Sequence, residues 1–391
     1  MKKDNIYPYS FIDAELARRI DRHQLRRLRN AHPVNGVEIV MDGRRMVNFC
    51  ANDYLGLAVH PLLRERSRAY VQKYGSGATA SRLICGNYEF YEAVESKLAR
   101  LKQVEASLVL SSGFQANISV IPALANRNSL ILSDSLNHNS LIQGCRLARS
   151  KVLVYRHNDV QHLEELLAEN ADKRFSGVFI VTESVFSMDG DRADLDTLVE
   201  LSKRFGAFLI VDEAHATGVL GHMGMGLTCG LDIDLVIGTF GKACGSFGAY
   251  LACSHKLREF MINCCAGLIY STALPPSVVG AIDAALDLIP FMDTERASLQ
   301  QNGEYLRRSL HDMGWETGPS STQIIPIMIG EESETLAFSQ WLAENHILAV
   351  AIRPPTVPEG ASRIRLSLSA MHDRSHIDRL IGVLKKWQFN K

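Results

Sequence analysis

Three short segments gather residue types that could do chemistry. Asp212-Glu213-Ala214-His215 puts a carboxylate and an imidazole three residues apart, directly behind the apolar run 207–211. Thr239-Phe240-Gly241-Lys242 follows the apolar run 234–238 and ends on a lysine, with glycines around it that leave room above the ammonium. Behind 107–110, Ser111-Ser112-Gly113-Phe114-Gln115-Ala116-Asn117 lets a glycine open a helix, where backbone amides and the positive end of the helix dipole suit a phosphate. Each feature alone has a bland reading, since most lysines are surface cations and most glycines serve tight turns. Together they match what pyridoxal 5'-phosphate (PLP) demands: a lysine for its Schiff base, a carboxylate to keep the pyridine nitrogen protonated, and an anion cradle. Burial beside a cationic ring would keep Lys242 partly neutral.

Two competing motifs fail on spacing. The quartet 212–215 spells a DEAH box, but 238–243 (GTFGKA) is not the phosphate loop G-x-x-x-x-G-K-[ST] that an NTPase needs. The stretch 221–226 (GHMGMG) likewise departs from the dinucleotide fingerprint G-x-G-x-x-G.

The elements that must position these residues form an α/β pattern. Strand-like runs lie at 107–110, 130–132, 151–155, 177–182, 207–212, 234–238 and 248–253, separated by helix-length segments such as 160–170 and 194–205. Runs apolar on both faces predict a mainly parallel central sheet covered by helices, and ligands of such sheets collect at the strands' carboxyl ends. After a long helix over 277–289 the rhythm shortens to helix 295–313, strand 324–329, helix 333–345, strands 347–352 and 363–368, and helix 374–388. The division expected is an N-terminal helical arm over 1–45, a large α/β domain over 46–290 and a smaller α+β domain over 291–391. In the arm, Ile12, Leu16 and Ile20 fall at helical spacing ahead of the basic stretch Arg26-Arg27-Leu28-Arg29.

The chain is 391 residues long, 46% hydrophobic and 22% charged, which is ordinary usage for a globular protein with sizeable cores. A formal net charge of −1 gives no footing for a nucleic-acid partner. The eight cysteines are scattered, with no CxxC pair and no Cys/His cluster at zinc spacing, so reduced thiols and no metal site are expected. Met1-Lys2-Lys3-Asp4-Asn5-Ile6-Tyr7-Pro8 carries charge with no apolar stretch behind it, and no run approaches membrane-spanning length, so the expectation is a cytoplasmic protein without a membrane partner.

With these residues in view, the sequence resembles the α-oxoamine synthase family of fold-type I PLP enzymes, from about residue 22 to 388. The matching runs are Asn52-Asp53-Tyr54-Leu55-Gly56-Leu57, Leu136-Asn137-His138, 183–191 (ESVFSMDGD), 212–221 (DEAHATGVLG) and 238–242 (GTFGK). The resemblance implies that Lys242 holds the cofactor, Asp212 pairs with its pyridine nitrogen, His215 bonds its ring hydroxyl and His138 stacks on its face. It further implies Ser187 at the cofactor edge, Thr239 near the phosphate, backbone contacts from Gly113 and Phe114, and Thr272 reaching the phosphate of a partner subunit in a homodimer with shared sites. Asn52 and Arg365 match positions that meet the amino-acid carboxylate, and Arg26 and Thr356 match positions that contact substrate.

Arg156-His157-Asn158-Asp159, 270–276 (YSTALPP) and 351–358 (AIRPPTVP) resemble most the members that join L-alanine to a pimeloyl thioester, pimeloyl-CoA or pimeloyl-acyl carrier protein. Members that use glycine with acetyl-CoA, or another acyl thioester, are the alternative. A catalytically silent partner subunit would lack the lysine, and Lys242 is present. Two stretches depart from the pattern: Ala193-Asp194-Leu195, where the aspartate suits a helix cap, and 79–86 (TASRLICG), which bears on the acyl pocket.

Overall fold

A computed structural model describes residues 9–389; the segment Met1–Pro8, on which the leader reading rests, lies outside the described residues. The chain opens with the helix Ser10–Asp21, and three short strands follow: β1 (Ala31–Pro33), β2 (Glu38–Met41) and β3 (Arg44–Asn48). Among the described residues of 1–45 the helix is therefore confined to Ser10–Asp21, an irregular stretch follows over 22–30, and β1, β2 and the start of β3 complete the segment.

The seven expected strands all form: β4 (Ala106–Leu110), β5 (Leu130–Asp134), β6 (Lys151–Tyr155), β7 (Val178–Glu183), β8 (Phe208–Asp212), β9 (Leu235–Thr239) and β10 (Ala249–Cys253). They make one sheet in the order β4-β10-β9-β8-β7-β5-β6, in which only β10 runs against its neighbours. All residues of β4, β5 and β10 are buried, because alternate side chains enter two different cores. Ile131, Val181, Ile210 and Ile237 face Ala116, Val120 and Ile121 of the helix Gly113–Leu124. Leu132, Ile180, Leu209 and Val211 face Leu163, Leu167, Leu198 and Leu201 on the other side. Asp194 caps the helix Leu195–Phe205, its carboxylate accepting from the Thr197 amide at 3.2 Å, as the sequence suggested.

The C-terminal third builds a smaller antiparallel sheet, β11-β14-β13, from β11 (Ile324–Gly330), β13 (Val350–Ile352) and β14 (Ser362–Ser367). The helices Asp293–Asp312, Glu332–Glu344 and Arg374–Phe389 accompany it. The run 347–352, read as one strand, is two. Its first part, β12 (Ile347–Leu348), pairs in parallel with β3, and β13 pairs with β14. An apolar run cannot reveal that its backbone changes sheets at Ala349, since both halves are apolar for the same reason.

Behind the carboxyl end of β8, the loop is pinned by a buried ion pair. Lys102, at the end of the helix Phe90–Lys102, meets the Glu213 carboxylate and donates to the Met225 carbonyl at 2.6 Å. Glu213 also accepts from the Thr228 amide at 2.8 Å and its hydroxyl at 2.5 Å. Gly226, at φ 94°, lies so close that a Cβ there would collide with that carboxylate. Lys102→Met should remove about 3–5 kcal/mol of stability, because it strands a charge in the core. Urea denaturation followed by circular dichroism measures this, and a loss under about 1 kcal/mol would show that Glu213 does not need its partner.

Candidate active site

Since β4, β5, β7, β8 and β9 run the same way, their carboxyl ends open on one side of the sheet, and the predicted residues follow them. Asp212 ends β8 and Thr239 ends β9. Gly113 opens the helix after β4, His138 caps the helix Asn139–Leu147 after β5, and Ser187 follows β7. From the smaller sheet β14 contributes Arg365, and the segment after β3 contributes Asn52 and Tyr54.

A hydrogen-bonded chain joins these groups. Lys242 Nζ lies 2.6 Å from His215 Nε2, and His215 Nδ1 lies 2.7 Å from the Tyr54 hydroxyl. Tyr54 donates to Asn52 Oδ1 at 3.1 Å, and the same oxygen accepts from both Nη atoms of Arg365 at 3.3 Å. Arg365 Nε donates to the Ser187 carbonyl at 2.5 Å, and its Nη1 to the Ser367 hydroxyl at 2.6 Å. A second chain starts at Asp212, which accepts from Asn117 Nδ2 at 2.7 Å and the Ala214 amide at 2.9 Å. Asn117 also donates to the Ser140 hydroxyl at 2.8 Å, which sits 2.7 Å from His138 Nδ1.

The electrostatics favour a reactive amine. Burial lowers the Lys242 pKa to about 8, although Asp212 and Glu183 pull it up. Burial, with Lys242 and Arg365 adding to it, holds His215 well below its usual range, so the imidazole is neutral. His138 is lowered by burial as well. Burial and then the neighbouring Asp212 charge push Glu183 well above the carboxylate range, and its Oε1 accepts from the His138 amide at 2.5 Å.

The phosphate side is open to a ligand. The Ser112 hydroxyl caps the helix by accepting from the Gln115 amide at 3.2 Å. An added Cβ on Gly113 would lie 3.8 Å from Thr239 Cβ, so the helix start faces Thr239 at contact distance. Phe114 is 50% exposed, and Thr272 is exposed on a bridge to Ser81, joined to none of the chains above. Arg26 and Thr356 meet each other, Nη2 to Oγ1 at 3.1 Å, while Arg353 donates to the His23 carbonyl. Thr356 lies on the rim of a cavity of about 370 Å³ whose walls include Leu136, Ile142, Phe186, Met188 and Val357.

Sequence reasoning did not single out Tyr54, Asn117, Ser140, Glu183 and Ser367. Tyr54, Asn117 and Glu183 lie inside runs it quoted, and a tyrosine two residues from Asn52 was the available signal for Tyr54. His157 also has a role its motif did not disclose. Its ring nitrogens lie 2.9 Å from Asp134 and 2.9 Å from Asp191, and although burial works against it, those carboxylates raise its pKa to about 10. The imidazolium thereby ties the end of β5 to the loop that carries Ser187.

An amine poised near neutrality, a carboxylate held by neutral donors and a helix start facing a threonine hydroxyl fit PLP in amine, pyridinium and phosphate alike. The sequence agrees at family level: residues 44–384 match the aminotransferase class I and II family, and the chain belongs to it. Within that family it is one of the α-oxoamine synthases, PLP-dependent acyltransferases. It is 57% identical to a Desulfosudis oleivorans protein provisionally named 8-amino-7-oxononanoate synthase, over 97% of this chain and 98% of that one. It is 48% identical to the 8-amino-7-oxononanoate synthase of Gluconacetobacter diazotrophicus, over 94% of each. A serine palmitoyltransferase from S. paucimobilis, solved with a bound PLP–myriocin aldimine, superposes with a TM-score of 0.90 at 27% identity over 98% of each chain. PLP is the cofactor of this chain.

A lysine with a pKa of about 8 gains its neutral amine at a lower pH than an ordinary one. The rate of apoprotein reconstitution by PLP, followed by the visible absorbance of the bound cofactor, should rise with pH and level off just above 8. A rate still climbing tenfold per unit at pH 9.5 would show that Lys242 is not depressed.

Proposed function

We propose that the chain condenses L-alanine with a pimeloyl thioester, releasing CO2 and the free thiol and giving 8-amino-7-oxononanoate, a step of biotin biosynthesis. The observation that carries this reading is the depressed Lys242 amine beside a neutral His215, in a chain 57% and 48% identical to proteins bearing that enzyme's name. When bound, PLP supplies an electron sink that stabilises a carbanion at the amino acid's Cα.

The chain's own residues supply the rest. Lys242 Nζ removes the Cα proton and later returns one, a role its pKa near 8 suits. Asp212 keeps a proton on the pyridine nitrogen, and its bonds from Asn117 and the Ala214 amide hold the carboxylate in place for that purpose. His215 would bond the ring hydroxyl of the bound cofactor, His138 would cover its ring face, Ser187 would lie at its edge, and the amides of Gly113 and Phe114 with Thr239 would hold its phosphate. Arg365, oriented by the Ser187 carbonyl and Ser367, clamps the amino-acid carboxylate beside Asn52. The apolar cavity beside Asn137 takes the acyl chain, with Arg26 and Thr356 at its rim.

The site is completed in a homodimer. Thr272 lies on a face that also exposes Leu83, Ile84 and Tyr270, at 49%, 79% and 85%, an apolar surface suited to a partner subunit whose cofactor phosphate Thr272 would reach. The arm, the large domain over 46–290 and the small domain over 291–391 are part of the same reading, with β14 lending Arg365 to a site built on the large sheet. The same reading takes the eight scattered cysteines as thiols of a reducing, cytoplasmic setting. No described helix is long and apolar enough to cross a membrane.

The holoenzyme given pimeloyl-CoA should release free thiol with L-alanine at a kcat/KM well above that for glycine or L-serine. Lys242→Ala should lose at least about a hundredfold in kcat, and Arg365→Ala should raise the KM for alanine about tenfold or more. Selective turnover of glycine with acetyl-CoA would overturn the substrate assignment, and full activity in Lys242→Ala would overturn the mechanism.

A further inference from the structure

A second cavity, of about 420 Å³, lies behind the catalytic loop and is lined by Arg192, Arg296 and Arg307. Asp293 is the acid on its wall, and it is already ion-paired to Arg296. Arg192 and Arg307 donate only to backbone carbonyls, Nη2 to Ser321 at 3.2 Å and Nη1 to Thr322 at 2.6 Å. Glu304, one turn before Arg307, accepts from Gln300 at 2.9 Å instead of pairing with the arginine. Burial lowers the Arg307 pKa, Glu304 opposes that, and the like charge of Arg192 adds to it. Two guanidinium groups thus share one cavity with neither in an ion pair, each keeping most of its five donors for something else.

We propose that this cavity binds a small, multiply charged oxyanion of the phosphate or polycarboxylate class, at a site separate from the cofactor and substrates. Its floor is wired to the active site. Ser321 N–H and the Thr322 hydroxyl both donate to the Gly190 carbonyl, at 3.0 and 2.9 Å, at the end of the loop that carries Ser187. Gln323, which also borders the cavity, donates to the His215 carbonyl at 2.9 Å. An anion that draws Arg192 and Arg307 off their carbonyls therefore acts on the segment that supports His215 and the Ser187 loop.

The test uses holoenzyme with the cofactor reduced onto Lys242 by borohydride, so that no phosphate exchanges into the cofactor's place. Calorimetric titration with inorganic pyrophosphate, and separately with citrate, at fixed ionic strength reads binding without reference to turnover, and so independently of the substrates proposed above. The expected result is saturable one-to-one binding of at least one anion, weakened tenfold or more by Arg307→Gln and by Arg192→Gln but within threefold in Arg307→Lys. The tighter anion assigns the class. Arg192 faces solvent at the rim, so Arg192→Gln carries the test if Arg307→Gln does not fold. Survival of binding in saturating free coenzyme A supports the separate site. No saturable binding of either anion, binding unchanged in the folded Gln variants, or binding abolished by coenzyme A overturns it.

Discussion

The site rests on desolvating one amine without pairing it. Two acids, Asp212 and Glu183, lie within the electrostatic reach of Lys242, and a direct ion pair with either would hold the lysine protonated. Its direct partner is the neutral imidazole of His215 instead. Every acid nearby has been given other company. Asp212 is held by Asn117 and a backbone amide, Glu183 by the His138 amide, and Glu213, one residue along from Asp212, turns the opposite way into Lys102.

The sheet makes this arrangement possible through register. Glu183 stands opposite Asp212, and Asp212 opposite Ile237, so β7 and β8 end at the same level while β9 runs two residues further. Burial first, and then the charge of Asp212 on the neighbouring strand, push Glu183 towards its neutral form. Thr239, two residues beyond Ile237, then faces the helix start at Gly113 across β10. The smaller sheet closes the group by delivering Arg365, whose guanidinium is oriented from the Ser187 loop, Ser367 and Asn52 before any substrate arrives.

What the sequence made legible follows from which forces are local. The seven strands of the large sheet could be read because each is apolar on both faces and separated by helix-length segments, and the groups at their carboxyl ends came with them. The strands β1 to β3 escaped because they are short and partly exposed, with Arg44 and Arg45 looking like any solvated stretch. Tyr54 and Glu183 escaped because their importance comes from partners far along the chain: His215 is 161 residues from Tyr54, and no local pattern encodes that pairing. The double clamp of Asp134 and Asp191 on His157 was hidden in the same way.

The parallel pairing of β3 with β12 has a consequence for how the protein is made. It joins Val47 to Ile347, about 300 residues later, so the first strands wait for nearly the whole chain before their edge is covered. The large sheet draws on residues 106–253 and can assemble earlier from closer neighbours. During synthesis the early segment is therefore an uncovered strand edge tethered to a forming sheet, the state in which a nascent chain is most exposed to wrong pairing and to chaperones.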